Sequence, residues 1–107
     1  MANFDDRENA FENKHAHDEE MEFKVTARRN KLLGHWAAEK MGLTAEETEA
    51  YGKAVVQADF EEAGDDDVLR KVLGDLTTAE VESDEAMVRA AMEELMVEAR
   101  RQFIEEA

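Results

Sequence analysis

No proline interrupts this chain of 107 residues, and Ile104 is its one isoleucine. Alanine and glutamate dominate, while β-branched residues are sparse. That mixture lets a helix run on wherever its apolar side finds cover, and it offers little to a sheet. Helix ends must then come from glycines and capping residues, and these signals divide the chain into four helical segments.

The first segment is strongest from Met21 to Met41, with Met21, Val25, Leu32, Leu33, Trp36 and Ala37 leaning to one side, and Gly42 ends it. Thr44 caps the second, and Glu47 three residues on completes a capping box. Its apolar face is Tyr51, Ala54, Val55 and Ala58, with Phe60 off to one side, and Gly64 closes it. Asp65 or Asp66 is expected to cap the third, whose stripe of Val68, Leu69, Val72, Leu73 and Leu76 is the sharpest in the chain. Ser83 is expected to cap the fourth, ahead of Val88, Ala91, Met92, Leu95, Met96, Ala99 and Phe103.

Short connections favour antiparallel neighbours, so the expected fold is all-α, an antiparallel four-helix bundle. At about 1.5 Å per residue, a helix from Met21 matches its neighbours in length, whereas one from Phe4 would project roughly 25 Å beyond them. Residues 1–20 hold only Phe4 and Phe11 as large hydrophobes after Met1. Such a stretch cannot offset its ordering entropy alone. The expected organisation is therefore a disordered or frayed N-terminal arm, residues 1–20, and a bundle, residues 21–107.

The net charge of −15 is unevenly spread: residues 1–34 carry 8 acids and 6 bases, and residues 35–107 carry 20 acids and 7 bases. A body this acidic repels nucleic acid and anionic lipid, so neither is an expected partner. Without cysteine there is no disulfide framework and no thiolate nucleophile. No apolar run suits a secretory leader or a membrane span, and a cytoplasmic location is expected.

Few residues invite chemistry. Phe4 and Phe11 are two helical turns apart, so a helix would set them on one face, continued by Glu8 and His15. That pattern suits an arm that folds into a groove on a partner, and equally a ragged terminus with incidental aromatics. Arg28, Arg29 and Lys31 form a basic knot that could meet a nucleotide phosphate or an acidic partner, or pair with the chain's own carboxylates. No glycine-rich phosphate loop accompanies the knot, so no cofactor is called for and ADP or ATP would bind weakly at best. His15 and His17 point apart on a helix, and no metal site is expected. Gly34, costly in a helix interior, suits a close helix crossing near Trp36 or a local bend. No nucleophile, base and orienting group come together, so an enzyme is not expected.

The run Phe4–Leu43, with its paired blocks FDDRE…AFE and ARRNKLLG, resembles the zeta inhibitor subunit of the F-type ATP synthase of alphaproteobacteria; the likeness continues through Val55–Val72. The resemblance implies a four-helix bundle whose N-terminal arm enters a catalytic interface of the α and β subunits against γ and blocks ATP hydrolysis. It implies inhibitory positions at Phe4, Asp5, Asp6, Arg7, Glu8, Ala10, Phe11, Glu12 and Lys14. The partner so implied is the soluble catalytic head of the membrane-bound synthase, with no direct membrane insertion. Two other readings stay open: a nucleotide-responsive helical regulator using Arg28, Arg29 and Lys31, and a binding or assembly factor without inhibitory action.

Overall fold

The computed structural model describes residues 19–61 and 64–106 in full, and from Ala2 to Asp18 the helical course alone. All regular structure among the described residues is helical: α1 (Ala2–Met41), α2 (Ala45–Glu61), α3 (Asp65–Thr78) and α4 (Glu85–Glu106). The side chains of the arm expected over residues 1–20 lie outside the described residues, apart from Glu19 and Glu20.

The first helix stops where glycine permits it. Gly42 adopts φ 72°, which lets the Leu43 N–H return to the Ala38 carbonyl at 3.1 Å. The capping box on α2 forms as expected: the Thr44 N–H donates to Glu47 Oε1 at 2.9 Å, and the Glu47 N–H to Thr44 Oγ1 at 3.2 Å. Hydrogen bonding to its carboxylate from Thr44, chiefly from the backbone N–H and then from the side chain, holds the Glu47 carboxyl below its ordinary range.

Two expected caps are corrected. Gly64, with φ 144°, occupies the N-cap position of α3 and supplies no side-chain cap. Asp65 and Asp66 lie inside the first turn of α3 rather than before it, and their carboxylates accept hydrogen bonds from Arg29 and Arg89. On α4 the cap is Asp84, which accepts from the Met87 N–H at 2.8 Å. The Ser83 hydroxyl is turned back to the Val81 carbonyl at 3.1 Å.

All three later helices pack on α1, while α2 and α4 do not meet each other among the described residues. The pairs Asn30–Asp59 and His35–Glu49 run in opposite order on α1 and α2, which makes these two an antiparallel hairpin. Its closest point is Gly34 against Gly52: a Cβ on Gly34 would lie 2.6 Å from the Gly52 Cα. Gly52 in turn carries the His35 ring, so Gly52 is buried where the sequence pattern put Ala54, which is exposed.

The core joins Leu33 and Ala37 of α1 to Val55, to the α3 stripe, and to Val88, Ala91 and Met92 of α4. Leu33 and Leu76 are fully enclosed; burial of each such side chain contributes roughly 1.5–3 kcal/mol. Trp36 packs on this cluster from its edge. The α4 helix crosses α1 obliquely, held on one side by Glu22–Arg100 and on the other by Arg28–Glu106.

Candidate functional site

The stretch Phe23–Lys31 contains four bases and no acid in a chain of net charge −15. Helical geometry then separates the four. Arg29 follows Val25 and precedes Leu33 by four residues each, so it shares their inward side. It is 2 % exposed. Its Nε–H donates to Asn30 Oδ1 at 2.8 Å and its Nη2 to Asp65 Oδ1 at 2.9 Å. Asn30, fully buried, donates from Nδ2 to Asp59 Oδ2 at 3.0 Å. A buried guanidinium and amide thus bind α1 to the end of α2 and the start of α3.

This network should be sensitive to loss of one member. Asn30→Leu keeps the branched shape but strands the Arg29 Nε–H inside the protein, and a stranded charged donor is costly. The expected loss is about 2–4 kcal/mol, read by denaturant unfolding. The double variant Arg29→Met/Asn30→Leu should lose less than the sum of the two singles, because no buried charge remains unpaired.

Of the other three bases, Lys24 and Lys31 are exposed and Arg28 is half-buried. Lys24, Arg28 and Lys31 edge a groove of about 550 Å³ lined by Phe23, Ala27, Val56, Phe103 and Glu106. Arg28 Nη2 donates to Glu106 Oε2 at 2.7 Å, and that hydrogen bond holds the Glu106 carboxyl below its usual range. Arg100 does the same to Glu22 through two hydrogen bonds, at 2.5 and 3.1 Å. Beside the groove lies a smaller hollow of about 230 Å³, reached by way of Phe23, Ala27 and Val56 and ending at Asp59 and Phe60. The Phe23 and Phe60 rings sit 5.3 Å apart at 57°, a favourable tilted contact. Both remain more than half exposed.

Of the basic knot, the structure brings Arg28 and Lys31 to one groove and turns Arg29 away from it. Phe4, Asp5, Asp6, Arg7, Glu8, Ala10, Phe11, Glu12 and Lys14 lie outside the described residues, as do His15 and His17. Among the described residues no group of three potential ligands could hold a metal ion, and no helix is long and apolar enough to cross a membrane. Sequence reasoning missed the apolar floor of the groove. Its one legible signal was Phe60, set off from the buried face of α2.

The chain matches the family model described as ATPase inhibitor subunit zeta over residues 1–102. No curated protein matches it. Among solved structures, a protein determined by solution NMR is 53 % identical with a TM-score of 0.71, the match covering 81 % of this chain and 99 % of that one.

Proposed function

The chain belongs to the ATPase inhibitor subunit zeta family, and from that premise we propose that it restrains ATP hydrolysis by inserting residues 1–20 at a catalytic interface of the α, β and γ subunits of an F-type ATP synthase. It is a regulatory, non-catalytic subunit. The division into an arm, residues 1–20, and a bundle, residues 21–107, belongs to this proposal. So do contact through Phe4, Asp5, Asp6, Arg7, Glu8, Ala10, Phe11, Glu12 and Lys14, and a cytoplasmic position on the soluble head.

The observation that carries the reading is the reach of the family match, which runs through the arm from residue 1. The buried core of the described residues, by contrast, begins only at Val25. The family match thus includes the arm as well as the bundle. A nucleotide-responsive role for Arg28, Arg29 and Lys31 has less support, since Arg29 is committed to the interior.

The test compares hydrolysis by the isolated catalytic head with the intact protein and with a form lacking residues 2–19. Inhibition is expected from the first and not from the second. Equal inhibition by both would overturn the arm as effector. Binding to the head without any change in turnover would favour an assembly role instead.

A further inference from the structure

We propose that the groove between α1, α2 and α4 seats an amphipathic, carboxylate-bearing helix of the synthase head, beside the socket that receives the arm. This inference rests on the family reading of the preceding subsection and adds a second point of attachment to it.

Three observations support it. The first is apolar exposure. Phe23 and Phe60 are 54 % and 57 % exposed, yet they touch each other and flank a hollow continuous with the groove floor of Phe23, Ala27, Val56 and Phe103. Contiguous apolar surface of this kind, rimmed by charge, marks a binding face more often than solvent-facing skin.

The second is charge. On the α1 edge Lys24 is paired with Glu20 at 3.2 Å and Arg28 with Glu106 at 2.7 Å, which leaves Lys31 as the cation there with no ion pair among the described residues. Lys53, likewise without one, lies seven residues before Phe60, on the same face of α2. The whole molecule, at −15, repels an acidic partner from afar. At physiological salt that field decays over about 8 Å, so at contact the local cationic edge decides. An apolar ridge flanked by Asp or Glu is therefore the complementary surface. A second copy of this chain would bring another −15 to the contact, which disfavours self-association.

The third is position. Phe23 is nine residues beyond Lys14, about 14 Å along a helix. Whatever surface grips the arm as far as Lys14 thus ends under three helical turns from the groove, close enough for one partner to meet both. Tethering converts the second contact into an intramolecular one at millimolar effective concentration, so a groove too weak to hold the head alone still tightens the complex.

The experiment uses the full chain with Phe60→Ser/Lys31→Glu, and separately with Phe23→Ser. All three positions are exposed, and thermal melts verify that each variant folds. Inhibition of hydrolysis and direct binding to immobilised head are titrated at low and at physiological salt. The groove variants are expected to need roughly ten- to thirtyfold more protein for half-inhibition while reaching the same maximal inhibition. The Lys31→Glu form should also show a shallower salt dependence than the parent, a change that loss of packing alone would not produce.

Titrations that superimpose on the parent's would overturn the groove and leave the arm intact. If the parent binds the head without inhibiting it, weaker binding by the variants upholds the groove while the arm fails. If the parent does not bind the head, both proposals fall. A dimer on sedimentation that Phe60→Ser disperses would assign the groove to a second copy, and would also overturn the proposal.

Discussion

Alanine at both Phe4 and Phe11 is expected to raise the concentration needed for half-inhibition by on the order of a hundredfold or more, with the thermal midpoint shifted by no more than about 2 °C. On the proposed reading each ring is an aromatic anchor, and truncating a buried anchor at an interface typically costs about 2 kcal/mol or more. Every 1.4 kcal/mol is about tenfold in affinity, so two anchors at full value would exceed a hundredfold even with incomplete additivity. The two residues lie seven apart, which places them on one side of a helix two turns long. Hydrolysis titrations and thermal melts on the same samples check both halves of the expectation. A midpoint drop of about 8 °C or more would show that the rings pack on their own bundle, and the separation of arm from bundle would fail with it.

Gly34→Ala is expected to lower the thermal midpoint by about 8–15 °C, against the usual trend for helices. In a helix interior the change from glycine to alanine should gain about 1 kcal/mol. Here the new methyl would stand 2.6 Å from the Gly52 Cα, 3.1 Å from the Gly52 nitrogen and 3.3 Å from the Tyr51 oxygen. All three are backbone atoms, so no rotamer change relieves the clash and α2 must move away from α1. Overpacking of this kind costs roughly 1–3 kcal/mol, occasionally more, and the loss of packing along the hairpin outweighs the propensity gain. Gly74 supplies the control. It lies inside α3, where an added methyl meets nothing within 4 Å. Gly74→Ala should therefore be stabilising by about 0.5–1 kcal/mol. Calorimetry of the two variants beside the parent gives opposite signs if the crossing, rather than glycine itself, controls the outcome.

Much of the fold was legible before any coordinates, and for identifiable reasons. The α3 stripe repeats at three and four residues without interruption, and Val68, Leu69, Val72 and Leu76 are all buried. Thr44 and Glu47 follow a pattern in which each side chain has one local partner, so the capping box could be read from four residues. On α4 the cap passed from Ser83 to its neighbour Asp84 for a local reason, since the Ser83 hydroxyl bonds the Val81 carbonyl, whereas Asp65 and Asp66 meet distant partners. Arg29 and Arg89 are far away in sequence, and nothing local to residues 65 and 66 signals their approach. The end of α3 was obscure for another reason. Glu80 takes φ 62° there, a conformation usually left to glycine, and lets the Val81 N–H reach back to the Leu76 carbonyl at 2.9 Å.

The candidate site was legible in part. The basic knot was visible as composition, but its division into one buried and several exposed cations follows from the angular position of each residue. Arg29 sits four residues from Val25 and from Leu33, and that spacing alone places it among buried groups. The apolar floor was harder to see. Phe23, Val56 and Phe103 come from three helices, and only the packing of both α2 and α4 on α1 brings them together.

The meeting of Gly34 with Gly52 also constrains how this sequence can drift. At a contact between a large and a small side chain, growth on one side can be offset by trimming the other. Two facing glycines leave nothing to trim. A first substitution at Gly52 meets the His35 side chain, but one at Gly34 meets only backbone and has no compensating partner across the crossing, so relief would have to come from a shift of both helices, dragging the buried Arg29 and Asn30 with it. The spacing between α1 and α2 is in this sense an inherited dimension of the molecule, closed to stepwise revision.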